Sequence, residues 1–368
     1  NTKQYQAIPS NTKQYQAILS TLSQGTTSNK ARLKVFACLI IGVIRCRSVN
    51  LSKLAALQNS DASEDSQYRK LQRFFLQWVF PWIDIAKITL NRIPKPKGGY
   101  ILSMDRTNWK FGQTHINILT VGIVVGKVAI PFIWITLPQS TKRGNSHSKH
   151  RILIMKRVFK VLAPEDIIFL AMDREFNGKE WLKWLNQKDL AWVLRIKRNT
   201  LVNGSHAHLQ PLTKRSKNSK KQSIWGMELY FSSKLIENGR TSHLYVVSNK
   251  LLPKAALEAY LTRWAIEVLF GHLKKKGFDL ESTHLRDRRK IDKLLAVVTL
   301  AFLFTLGWGV LLKEQTQHLS ARQKRKSIFR LALDALIEML NKPHRNQQKI
   351  NMFHDWITSK TQPSIFVV

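Results

Sequence analysis

Nineteen consecutive residues, LLAVVTLAFLFTLGWGVLL at 294–312, carry no charge and lie between Lys293 and Lys313. A stretch that long is either a membrane span or a helix buried on every face, and each option dictates the fold around it. Basic residues flank it at both ends, so the positive-inside rule gives it no direction, and no second span accompanies it. A buried central helix is the expected form. The chain has the means to bury it: 44% of its 368 residues are hydrophobic and eleven are Trp. That composition belongs to a folded protein with room for two or three domains.

Sixty Lys and Arg stand against 23 Asp and Glu, a net charge of +37 spread along the whole chain. A field of that sign recruits a polyanion, and nucleic acid is the first candidate, ahead of an anionic membrane face or a merely solvated basic surface. The runs KKK (274–276), RDRRK (286–290) and RQKRK (322–326) are expected to track DNA backbone, or singly to be solvated faces. Cys38 and Cys46 lack metal-type spacing and read as reduced residues of a cytosolic protein. No signal-peptide pattern opens the chain. Its first ten residues, NTKQYQAIPS, recur as NTKQYQAILS, a local duplication too short to make a repeat fold.

Residues 12–95 read as helical. Within them, 50–78 reads as helix, polar turn and helix, with SDASED supplying cap chemistry at the junction. As a helix-turn-helix it would turn Gln67, Arg69, Lys70 and Arg73 toward DNA; the plain alternative is a helical pair. The Pro- and Gly-rich NRIPKPKGGY (91–100) marks a domain boundary. After it, 100–104, 116–126 and 128–137 read as an antiparallel meander. Then come a helix (148–162), a strand (166–172), a helix (177–188) and a strand (191–196), the texture of a mixed α/β sheet. A polar basic loop (211–222) precedes β runs at 225–231 and 243–249. A long helix follows from near Pro253, and helical stretches around 290–313 and 326–341 finish the chain. The last has an apolar stripe at Ile328, Leu331, Ala335 and Met339, which suits core packing or a dimer contact.

Asp105 is the single carboxylate between Asp84 and Glu165, a window holding fourteen Lys and Arg. It ends ILSMDR, and Asp173 ends FLAMDR: each is an apolar strand followed by Met-Asp-Arg. Both aspartates are therefore expected at strand C-termini, where an open α/β sheet collects ligand-binding groups. Two such carboxylates suit a hard divalent cation, although either alone could pair with its neighbouring Arg or cap a helix. A third acid, Glu267, comes from AYLTRWAIEVLFGHLKKKG (259–277). Wound as one helix at about 100° per residue, Tyr260, Arg263, Glu267 and Lys274 share an arc of about 60°. Ile266, Leu269, Phe270 and Leu273 then form a stripe facing the core. Such an edge suits a metal-bound phosphate, with Glu267 as ligand and Arg263 and Lys274 neutralising oxygens, or else a solvated face with i,i+4 pairs.

Asp105, Asp173 and Glu267, with the Y-x2-R-x3-E-x6-K spacing of Tyr260, Arg263, Glu267 and Lys274, resemble the bacterial insertion-sequence DDE transposases that carry the YREK signature. DRTNWKFG and DREF are also similar to that family around its two aspartates, and the likeness covers about residues 99–313. The resemblance implies an α/β fold: an RNase H-like mixed-sheet catalytic core with a β-rich insertion, an all-helical N-terminal domain before it and a helical C-terminal region after it. The expected layout is 1–98 helical DNA-binding domain, 99–198 first part of the core, 199–250 insertion, 251–313 second part of the core and 314–368 helical tail. Residues 294–312 then become a core helix.

By the same resemblance, two Mg²⁺ ions, with Mn²⁺ substituting, would sit on Asp105, Asp173 and Glu267. Tyr260, Arg263 and Lys274 would bind phosphates of the transposon's terminal inverted repeats, and Arg69, Lys70 and Arg73 would contact DNA. The ends would be cut and the 3′-hydroxyl joined to target DNA by a homodimer in the bacterial cytoplasm, on the nucleoid. Family members that form a hairpin stack a flipped base on a Trp of the insertion. The corresponding SHLYVVSN lacks one, leaving Trp225 and Tyr245 as substitutes, with packing in the core or insertion the favoured reading of Trp225. Thr107 and Glu175 stand two after each aspartate, where that family often has a small residue. A catalytically decayed DNA-binding protein, an RNase H-like nuclease and a membrane-associated basic protein are the competing readings.

Overall fold

The apolar, β-branched runs after Gly99 fold as three long strands, β1 (Tyr100–Phe111), β2 (Thr114–Val125) and β3 (Val128–Thr136). The computed structural model describes residues 12–57, 62–79, 81–138, 146–212, 220–237, 241–315 and 325–359. The whole first copy of the duplicated start, with Asn11 of the second, the centre of the basic loop at 211–222 and all but the last two residues of RQKRK lie outside them. The chain divides into two compact units, one of residues 95–108 and 117–269, the other of 1–94, 109–116 and 270–368.

The first of these is built on a mixed sheet in the order β3-β2-β1-β4-β5-β10-β9-β8. β4 (Ile167–Met172) and β5 (Trp192–Arg195) run parallel to β1, while β3 is antiparallel to β2. β8 (Gln222–Ile224), β9 (Met227–Glu237) and β10 (Thr241–Ser248) prolong the same sheet by antiparallel pairing onto β5. Helices supply the covering layers: α6 (Ser148–Val158), α7 (Lys179–Gln187) and α8 (Pro253–Leu261). The small residues Ala256 and Ala259 let α8 lie against Phe169, Ala171, Val193, Leu244 and Val246 of the sheet.

Two expectations about this unit are corrected. Asp105 does not end its strand: β1 continues six residues further, to Phe111, with Thr107 and Trp109 turned inward and Lys110 outward. The helix expected across 259–277 is also broken. α8 stops at Leu261 and α9 begins at Trp264, running to Leu273. Between them the Thr262 hydroxyl donates to Ala259 O at 2.7 Å, and the amides of Arg263, Ala265 and Ile266 bond three residues back. A local side-chain bond and 3₁₀-type closure replace the regular ladder.

The second unit is helical. It holds α1 (Lys13–Gly25), α2 (Lys30–Cys46), α3 (Leu51–Ala55), α4 (Glu64–Gln77), α5 (Trp82–Asn91), α10 (Arg288–Gln315), α11 (Ile328–Asn341) and α12 (Gln347–Thr358). α12 was not foreseen as a separate helix. Cys38 and Cys46, on α2, are free thiols. α10 contains the uncharged stretch. It is the one described helix long and apolar enough to cross a membrane, and 94% of its most apolar window is buried inside the protein. Glycine makes the packing tight: a Cβ on Gly309 would stand 2.7 Å from Ile328 O and 2.8 Å from Ala332 Cβ. α11 approaches closely because that Cβ is missing. The covering helices, rather than lipid, take up the apolar surface of α10.

Candidate active site and nucleic-acid interface

Strand register brings the two Met-Asp-Arg segments together. The parallel β1·β4 ladder runs to Met104↔Met172 and stops, so Asp105, still within β1, and Asp173, just past β4, follow it at the same level. Asp173 opens a short 3₁₀ turn, Arg174–Phe176.

The helix break delivers the rest. Tyr260, on the last turn of α8, is held in the core at 6% exposure, with its hydroxyl donating to Asp173 Oδ1 at 3.1 Å. Arg263, in the break, donates through Nε to that hydroxyl at 3.1 Å. Its Nη1 reaches Asp105 Oδ2 at 3.3 Å, and its Nη2 reaches Glu267 Oε1, on α9, at 2.5 Å. One guanidinium and one phenol thus tie together three carboxylates that lie 68 and 94 positions apart along the chain, at 105, 173 and 267. Charge-assisted bonds of this kind are strong where the groups are shielded from water.

Electrostatics follow from that shielding. Burial pushes Asp105 up to about 7; the Arg106 amide, 2.7 Å from Oδ1, and Arg263 pull against burial, while Glu175 and Asp173 add to it. Burial also pushes the Tyr260 phenol up to about 12. For Arg263 burial works against the charge, yet Tyr260, Glu267 and Asp173 outweigh it and hold the guanidinium above its ordinary value.

The donor set, three carboxylates and a phenol, is hard oxygen chemistry suited to Mg²⁺ or Mn²⁺. Among the described residues, no three His, Cys, Asp or Glu side chains stand at the spacing that holds one ion. Arg263 bridges Asp105 and Glu267 and supplies one positive charge between them. The residues fit such an ion by chemistry, and Arg263 is the group that must give way to it.

Lys274, the last residue of the signature, belongs to the helical unit and pairs with Glu281 at 2.8 Å. Tyr245 is 7% exposed, its ring lying over Phe231 at 6.3 Å and His243 at 5.9 Å, so its stacking role is not carried forward. Trp225 does not start a strand. It sits half-buried at φ 54° in the turn between β8 and β9, followed by Gly226. One residue escaped the sequence reading, and a second was noted there without a structural role. Trp264, beside Arg263, is 63% exposed, an unusual state for so large an aromatic. Glu175 is joined by both its oxygens to Arg106.

In the helical unit, α4 keeps Arg69, Lys70 and Arg73 exposed. Gln67 is only 4% exposed and faces the core with Leu71 and Phe74, which corrects its assignment to the DNA-facing side. Ser63 caps α4 by accepting from Ser66 N, as the SDASED stretch led one to expect, although its first two residues lie outside the described set. Phe74 stacks with Phe36 of α2 at 6.4 Å, Trp78 meets the same ring tilted at 4.9 Å, and together they anchor the helix. Arg69, Gln72 and Arg73 form one wall of a groove of about 870 Å³, with Arg286 and Lys290 on the other. The basic run 286–290 and the exposed cations of α4 therefore line one depression.

A family model described as a transposase DDE domain matches residues 96–304, more than half of the chain. No curated protein matches it.

Proposed function

The chain belongs to the transposase DDE domain family, and on that premise we propose that it is the cut-and-paste transposase of a bacterial insertion sequence, of the subgroup bearing the YREK signature. The observation that carries this reading is the convergence of Asp105, Asp173 and Glu267 on the Arg263–Tyr260 pair. The strand order β3-β2-β1-β4-β5, with β4 and β5 parallel to β1, supports an RNase H-like core.

Asp105, Asp173 and Glu267 would hold two Mg²⁺ or Mn²⁺ ions, which supply Lewis-acid polarisation of the phosphodiester and activation of water and of the 3′-hydroxyl. Tyr260 orients Asp173 through its hydroxyl. Arg263, released from Asp105 and Glu267, pairs with end phosphates, and Lys274 adds a further cation for them. Trp264 offers an open indole face for a base, with Trp225 as the alternative platform. Arg69, Lys70 and Arg73 of α4, with Arg286 and Lys290, track the backbone of the terminal inverted repeats. A homodimer would pair two ends and join them to target DNA on the bacterial nucleoid. The helices before residue 98 would read the ends, and 199–250 would be the insertion.

The decisive experiment is cleavage of DNA carrying the ends of the element. Asp105→Asn, Asp173→Asn and Glu267→Gln should each reduce strand cleavage by about 10³-fold or more, the loss of several kcal/mol of transition-state stabilisation. DNA affinity should stay near wild type. Wild-type cleavage by any one of the three would refute the triad. Cutting without joining to a target would favour an RNase H-like nuclease.

A further inference from the structure

The backbone stops holding Asp105 and Asp173 together at the point where their chemistry begins. The β1·β4 ladder ends at Met104↔Met172, after which β1 continues as a strand while the other segment coils into the 3₁₀ turn 174–176. Beyond that register, side chains must set the separation of the two carboxylates.

One side-chain pair does so directly. Arg106, next to Asp105, donates through Nε to Glu175 Oε1 at 3.3 Å and through Nη2 to Oε2 at 3.2 Å. Glu175 is two residues from Asp173. This is a fork-on-fork contact, the geometry in which a guanidinium fixes orientation as well as distance. The third corner of the fork, Nη1, donates to Asn117 Oδ1 on β2 at 2.7 Å, so Arg106 is itself braced. The side chains are 12% and 22% exposed, shielded enough that neither charge is comfortable without the other. The turn is also held by its backbone: Arg151, 4% exposed, donates to Glu175 O and Asn177 O, each at 2.8 Å. Glu175 thus has its carboxylate and its carbonyl both engaged.

We propose that the Arg106–Glu175 ion pair is the element that positions Asp173 against Asp105, and that Glu175 acts as a positioning residue rather than as a fourth metal ligand. The inference rests on reading Asp105 and Asp173 as ion-binding carboxylates. Both oxygens of Glu175 already accept from Arg106, so ligating an ion would compete with that fork. The same pair accounts for a glutamate at a position where related transposases often have a small residue.

The test uses the full chain and two readouts: Mn²⁺ affinity measured by electron paramagnetic resonance of the free ion, and cleavage of end-containing DNA. Glu175→Gln keeps the shape and removes the charge; Arg106→Lys keeps the charge and removes the fork. Each should weaken Mn²⁺ binding by about 10- to 100-fold, the usual cost of losing a group that orients a ligand. The number of ions bound at saturation and the affinity for DNA should not change. The exchanged double variant R106E/E175R should recover at least tenfold of the loss in Mn²⁺ affinity. Wild-type Mn²⁺ affinity in Arg106→Lys or Glu175→Gln would overturn the proposal. So would loss of one bound ion in Glu175→Gln with no recovery in the exchange, because that outcome marks a ligand. Failure of the underlying reading looks different: Asp105→Asn and Asp173→Asn would themselves bind Mn²⁺ and cleave normally.

Discussion

The two Met-Asp-Arg segments carry the same three residues and meet opposite fates. Asp105 lies inside a strand that continues, with a side chain 16% exposed, and burial pushes it up to about 7. Asp173 follows a strand that ends, opens a 3₁₀ turn and accepts from the Tyr260 hydroxyl. Arg106 is half-buried and forked onto Glu175, whereas Arg174 is exposed. A tripeptide therefore has no role of its own. The course of the backbone after it decides whether its acid is shielded and whether its base is structural.

The comparison can be broken most severely at Arg151. It makes four hydrogen bonds, to Ser146 Oγ and O, Glu175 O and Asn177 O, which hold the turn on the Asp173 side. Arg151→Gln should destabilise the protein by about 3–5 kcal/mol, the cost of stranding buried partners, seen as a lower urea midpoint.

A smaller effect sharpens the contrast in burial. Because Asp105 is raised from 3.8 to about 7, its folded form prefers the proton. The stability it contributes is complete below about pH 4 and is lost as pH rises through about 7. With chelator present, Asp105→Asn should match wild type at pH 4 and exceed it at pH 8 by about 2–4 kcal/mol in chemical denaturation. Equal stability at pH 8 would remove the asymmetry between the two aspartates. Next, Tyr260→Phe keeps the ring in the core and deletes the hydroxyl that touches Asp173. It should slow cleavage about tenfold, the value of one well-made hydrogen bond. The smallest change is expected at Arg174→Ala, within about 0.5 kcal/mol in stability. A larger loss there would mean that the second arginine is as structural as the first.

Much of this was legible in the chain. The repeated apolar-run–Met-Asp-Arg pattern placed two acids on neighbouring strands, and β-rich apolar runs located most of the sheet. The uncharged stretch at 294–312 announced its buried helix. What escaped was local competition and side-chain choice. No periodicity shows that the Thr262 hydroxyl will take Ala259 O and split the helix, yet that split puts Arg263 among the acids. The charged pair Asp105–Arg106 looked like a strand end because the partners that let β1 continue, Asn117 and Glu175, lie elsewhere in sequence. Gln67 was assigned outward by polarity although its helical position faces Leu71 and Phe74.

One lysine has a consequence for how the basic surface behaves in salt. Lys293, on α10, is 7% exposed and gives its ammonium to the last carbonyls of α4, Phe75 O at 2.7 Å and Leu76 O at 3.3 Å. Mobile counterions reach exposed arginines but not a cation sealed under a helix terminus. Raising ionic strength would therefore strip the outer cations of α4 of their pull while the mount beneath them stays clamped. Electrolyte would weaken the grip on a phosphate chain and leave the gripping surface in its shape.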